Sequence, residues 1–127
     1  MTLPGAITAL EQLQLWNPAA IGDAIAPLCQ RIAEAAAGRG WHPTPATERA
    51  PHMLGITRRC IPEVGCQADD TGLQWPADLA ARCWERHAVH FSIRGGVLRV
   101  APHLYNTEED CDRLIDALDQ EMQWALC

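Results

Sequence analysis

The sequence predicts an α+β domain of two layers: a small, three-stranded, mainly antiparallel sheet with helices packed on one face. Three observations carry that expectation. Apolar residues recur at helical spacing at both ends of the chain. Val89, Phe91 and Ile93 alternate with polar neighbours, meet Gly95-Gly96, and are followed by a second alternating run from Val97 to Ala101, the pattern of a tight hairpin. A short apolar run, His52–Thr57, is separated from that hairpin by one helical segment, which suits a split β-α-β unit.

Taken in order, Pro4-Gly5 breaks the start, and Ala6, Ile7, Leu10, Leu13 and Trp16 then mark a first helix. Asn17-Pro18 ends it and opens a second, with Asn suited to the N-cap and Pro to the first helical position. Ile21, Ile25, Leu28, Ile32 and Ala35 form the stripe of this second helix, which runs to Gly38. Pro43, Pro45 and Pro51 make residues 41–51 extended or irregular. His52–Thr57 reads as a strand in which Gly55 signals a bulge or a close backbone approach. Arg58–Trp75 shows no sustained period and reads as a long loop, which is unusual in a compact domain unless functional or mobile. Pro76 opens a third helix, with Leu79, Ala80, Cys83, Trp84 and His87 on one side.

The hairpin strands are expected at Ala88–Arg94 and Val97–Ala101. A two-residue turn pairs Arg94 with Val97, Ser92 with Arg99 and Phe91 with Val100. That register puts Val89, Phe91, Ile93, Leu98 and Val100 on one face and His90, Ser92, Arg94 and Arg99 on the other. A slip by one residue would exchange the faces, so the register should be firmly set. Val97–Ala101 is expected at the centre, antiparallel to both other strands. The last helix begins at Asn106 or Thr107, with Asn106 and Glu109, or Thr107 and Asp110, as the cap and its acidic third residue. Its stripe is Cys111, Leu114, Ile115, Leu118, Met122 and Ala125. The first two helices and the last are expected to cover the apolar face of the sheet.

A length of 127 residues suits one domain, and such a chain buries roughly two-thirds of its unfolded surface without needing a disulfide or metal. The net charge of -6 argues against a nucleic-acid or anionic-membrane binder. No apolar run approaches membrane-spanning length, and no signal peptide is apparent. Six cysteines without a C-x-x-C pair, three of them (Cys29, Cys83, Cys111) on apolar helix faces, suit a reducing, cytoplasmic setting. His42, His52, His87, His90 and His103 show no recognised zinc-ligand spacing. All ten basic residues are arginines, so the chain has no lysine amine for Schiff-base chemistry.

Arg99 is the candidate binding residue, with Arg94, Ser92 and His90 as its neighbours. A guanidinium in an otherwise apolar strand can grip a carboxylate through two parallel hydrogen bonds. The competing explanation is a surface arginine paired with a nearby acid, since such pairs are common. Two arginines on one small polar face repel each other unless an anion or acidic side chain relieves them.

The stretch Val97 to Leu118, with its run L-R-V-A-P-H-L-Y-N-T-E-E-D-C-D-R-L-I-D-A-L, resembles the C-terminal segment of class V aminotransferase-like enzymes. These are pyridoxal-phosphate enzymes of the aspartate aminotransferase fold, and they include cysteine desulfurases, kynureninases and isopenicillin-N epimerase-like proteins. Pro51-His52-Met53-Leu54-Gly55-Ile56 looks like their first small-domain strand, and Pro4-Gly5-Ala6-Ile7-Thr8-Ala9-Leu10 like the helix after their cofactor domain. The resemblance implies that residues 1–127 are a single domain equivalent to the C-terminal small domain of such an enzyme, with the large cofactor-binding domain absent. It implies that Arg99 holds the substrate α-carboxylate and that Asn106 and Thr107 form the turn capping the last helix. It assigns no role to His90, Ser92 or Arg94. The family holds pyridoxal phosphate through a lysine of the large domain, so no cofactor is expected on this chain alone. The implied partners are an amino-acid substrate and a separate cofactor-binding chain or a second copy of this one. The alternatives are a non-catalytic module that binds a small carboxylate or a protein, and a truncated product without function.

Overall fold

In the computed structural model, residues 2–58 and 74–124 are described. Helix α1 (Leu3–Trp16) takes in Pro4 and Gly5, because proline in a first turn gives up no intrahelical bond. Asn17 then turns the chain in a positive-φ conformation (φ 65°), and its side chain accepts from the Ala19 N–H at 3.0 Å to start α2 (Pro18–Ala37). Gly38 closes α2, as the sequence predicts. Two short strands follow, β1 (His42–Pro43) and β2 (Leu54–Thr57), then α3 (Leu79–His87), β3 (Ser92–Arg94), β4 (Val97–Val100) and α4 (Glu108–Trp124).

The strand order is β1-β2-β4-β3, antiparallel throughout. β2 and β3 each pair antiparallel with β4, so they run parallel to one another with the last strand inserted between them. This is the expected split β-α-β arrangement, with α3 in the crossover. The hairpin register is the expected one: Arg94 opposite Val97, Ile93 opposite Leu98, Ser92 opposite Arg99. Gly95 and Gly96 both have positive φ (58° and 76°), the conformation a two-residue hairpin turn demands.

Four expectations need correction. The sheet has four strands among the described residues. β1 pairs His42 with Thr57 and Pro43 with Ile56, and proline is tolerated there because β1 is an edge strand. Second, α1 does not cover the sheet. None of its residues is buried, and Leu3, Ile7, Leu10, Leu13, Leu15 and Trp16 are exposed. The sheet is covered by α2, α3 and α4. Third, Ala88 caps α3 in the left-handed region (φ 54°) and the strand begins only at Ser92, which leaves Ala88–Phe91 outside the ladder. Fourth, α3 starts at Leu79 after a turn from Pro76, and Trp84 points to solvent, 58% exposed, while Leu79 and Cys83 are buried. Residues 59–73 of the expected loop, with Cys60 and Cys66, and Ala125 of the last stripe lie outside the described residues.

The core gathers Ile25 and Ile32 of α2, Leu54 and Ile56 of β2, Leu98 and Val100 of β4, and Leu114, Ile115 and Leu118 of α4. Trp75 closes one side, its indole N–H donating to the Ile56 carbonyl at 3.1 Å and its ring meeting Trp41 edge-on at 5.1 Å. Cys29, Cys83 and Cys111 are buried free thiols. Burial pushes the Cys83 thiol up to about 11, so it behaves as a small apolar side chain. Ion pairs tie α2 to α4: Arg31 reaches Asp112 at 2.8 Å and Glu108 at 3.1 Å, and Arg39 grips Asp119.

One charged group is buried with this core. Glu121 of α4 is 2% exposed and receives Arg82 at 2.9 Å, Arg86 at 3.2 Å and His87 at 2.9 Å, all from α3. Burial works against its charge more than any other single influence, but His87, Arg82 and Arg86 together outweigh it and hold the carboxyl below its usual range. No helix among the described residues is long and apolar enough to cross a membrane.

Candidate functional site

The outward face of the sheet follows from strand alternation. Leu98 and Val100 of β4 point into the core, so Val97 and Arg99 point away from it. On β3, Ser92 and Arg94 are exposed and Ile93 turns inward. On β2, Leu54 and Ile56 are buried, so Gly55 lies on the outer face. The ladder therefore sets Gly55, Arg99 and Ser92 in one cross-strand row, with Arg94 diagonally beside it.

Gly55 lets its neighbours in that row come close. A Cβ there would lie 3.0 Å from Thr44 Oγ1 and 3.1 Å from Val97 Cγ1. Thr44 also donates to the Gly55 carbonyl from its N–H at 2.8 Å and its hydroxyl at 3.2 Å, pinning the neighbouring chain close. Thr44 and Val97 therefore pack closely over Gly55, next to Arg99 in the ladder. The glycine signal in the sequence is thus a close approach rather than a bulge.

The arginines divide sharply. Arg31, Arg39, Arg49, Arg58, Arg82 and Arg86 each hold a carboxylate, amide oxygen or carbonyl. Arg94, Arg99 and Arg113 make no hydrogen bond or ion pair with any described residue. Arg99 is exposed, in a row whose other members, Gly55 and Ser92, bring no acid to it. A surface ion pair, the main competing explanation for this residue, is not what the described residues contain.

Of the neighbours expected around Arg99, Ser92 and Arg94 share its face and His90 does not join the row. The ladder stops at Ser92, and the His90 ring lies edge-on to Trp84 at 5.9 Å. Asn106 and Thr107 do form the turn before α4. Thr107 donates its N–H to Asp110 Oδ2 at 2.9 Å and its Oγ1 accepts from the Asp110 N–H at 3.3 Å, a reciprocal capping box. Asn106 adds its own lock, accepting the His103 N–H at 2.9 Å. The Thr107 N–H first, and then the Asn106 side-chain amide donating to the same Oδ2 at 3.5 Å, hold the Asp110 carboxyl below its ordinary range.

Two features escaped the sequence reading. Glu121 sits three residues after Leu118 on an apolar stripe, and its partners come from α3, far away in the chain. Arg113 follows Asp110 at i+3 on α4, a spacing that suggests a pair, yet the two are not within ion-pair distance. Among the described residues, no three His, Cys, Asp or Glu side chains gather as metal ligands. The chain does not fit pyridoxal phosphate by itself either, since it has no lysine to anchor the aldehyde. The outward row can grip a carboxylate but holds no nucleophile with a base beside it. Compared with protein-family models and with curated proteins, the chain matches none.

Proposed function

We propose that this chain is the substrate-side domain of a class V aminotransferase-like, pyridoxal-phosphate-dependent enzyme acting on amino acids, with Arg99 as the α-carboxylate clamp. The observation that supports this reading is the Arg99 guanidinium itself. It is exposed on the open sheet face, it has no acidic partner among the described residues, and the side-chain-free Gly55 lies beside it. A guanidinium so placed is ready for two parallel hydrogen bonds to a carboxylate, and Ser92 in the same row offers a hydroxyl donor. Arg94 on that face adds positive potential that draws an anion in.

The pyridoxal cofactor would supply the electron sink for amino-acid chemistry, and it would have to be held by a lysine-bearing domain on another polypeptide or elsewhere in a longer one. This chain's part is to bind and orient. The exposed apolar residues of α1 support the reading too, since such a helix is suited to lie against a second folded unit. With the cofactor domain supplied, Arg99→Ala should raise the apparent KM for the amino acid by about ten- to a hundredfold, the worth of roughly 1.5–3 kcal/mol for hydrogen bonds to a charged group. An unchanged KM removes Arg99 from the site.

The second reading, a non-catalytic carboxylate-binding module, rests on the fact that the row around Arg99 is complete within this one chain. Calorimetry with amino acids on the isolated chain separates the two. Binding that depends on Arg99, lost in Arg99→Ala, favours the module, and the absence of any Arg99-dependent binding favours the incomplete enzyme.

A further inference from the structure

On the helix side of the sheet, away from the Arg99 face, lies a cleft of about 170 Å³. It exists because the hairpin ladder ends early. Continuing the register beyond Ser92 and Arg99 would pair His90 with Ala101, but among the described residues no backbone hydrogen bond joins them. The two chain segments diverge over the first turn of α4, and the gap between them stays open. Its volume is well above the ~15 Å³ that a single water needs.

The chemistry of the walls is divided. Val89, Val100, Pro102 and Leu114 give an aliphatic floor. Asp110 and Arg113 stand on the rim one helical turn apart, with opposite charges. They feel each other electrostatically but form no ion pair. Asp110 uses only Oδ2 in its bonds to Thr107 and Asn106, which leaves Oδ1 available, and Arg113 donates to no described residue. A ligand that carries both charges on one carbon, an ammonium and a carboxylate, fits between such groups better than one with either charge alone.

We propose that this cleft binds the zwitterion of a small aliphatic α-amino acid, its carboxylate on Arg113, its ammonium on Asp110 Oδ1 and its side chain on Val89 and Leu114. The site is separate from Arg99 and does not rest on the function proposed above. L-leucine is the probe, titrated into the full chain and followed by amide chemical shifts. The expected result is shifts at Val89, His90, Arg113 and Leu114, with affinity read at these residues about tenfold or more weaker in Arg113→Ala. Because Arg113 is exposed and bonded to no described residue, Arg113→Ala should keep a dispersed spectrum. 4-Methylpentanoate and isopentylamine, which carry one charge each, should each bind about tenfold more weakly than leucine. No shifts at these residues at millimolar leucine, or equal shifts with either analogue, overturns the proposal. Binding lost in Arg99→Ala and kept in Arg113→Ala also overturns it, while leaving the Arg99 clamp standing.

Discussion

Replacing Glu121 by glutamine keeps the shape of a buried side chain and deletes one charge. The structure sets the size of the effect. Glu121 is almost wholly buried and anchors Arg82, Arg86 and His87, so it fixes α3 to α4. Breaking a buried ion pair from one side costs about 3–5 kcal/mol, because the remaining charge loses its partner. Two details reduce that here. The Arg86 side chain is 52% exposed and regains water, and Arg82 keeps its ion pair with Asp78. A loss of about 2–3 kcal/mol remains, which for 127 residues lowers Tm by roughly 10 °C. Urea unfolding at neutral pH, read by far-UV circular dichroism, measures it directly.

The pH dependence gives a second check. Since the folded carboxyl titrates below its ordinary range, the stabilisation is complete above that range and disappears as pH falls through the lowered folded value. The gap between wild type and Glu121→Gln should therefore close in acid. Equal urea midpoints at neutral pH, with equal slopes, would refute the assignment of Glu121 as the anchor of α3. So would a gap that widens on acidification.

Thr107→Ala removes the hydroxyl half of the capping box at α4 and should cost about 1 kcal/mol in denaturant unfolding; an unchanged midpoint means that Asn106 and Asp110 suffice. Gly55→Ala forces a methyl against Thr44 and Val97 and should cost about 1–3 kcal/mol, measured as a Tm shift; a neutral substitution would show that the Thr44 and Val97 side chains yield.

What the sequence disclosed here was mostly local chemistry. Gly95-Gly96 between alternating runs admits one turn geometry, and from it the pairing of Ser92 with Arg99 follows without any knowledge of the fold. The reciprocal cap of Thr107 and Asp110 was legible for the same reason: its members lie within one turn of each other. β1 was not legible, because two residues ending in proline carry no alternation to read. α1 showed its period plainly, yet periodicity states that a face is apolar and not what lies against it. Glu121 was hidden because the cations that neutralise it come from another helix. Arg99 was legible in its direction, outward from the sheet, while the packing beside it depended on how closely Thr44 passes Gly55.

The insertion of β4 between β2 and β3 has a consequence for biosynthesis. Among the described residues, β4 is the last strand in chain order and the only one that touches both of those two. Until it emerges, the β2 edge it will occupy has no mate, and the nascent polypeptide holds strands waiting for a shared neighbour. Productive collapse must therefore be late and cooperative rather than stepwise from the N-terminus. Stalling translation shortly after Arg94 should yield a protease-sensitive chain.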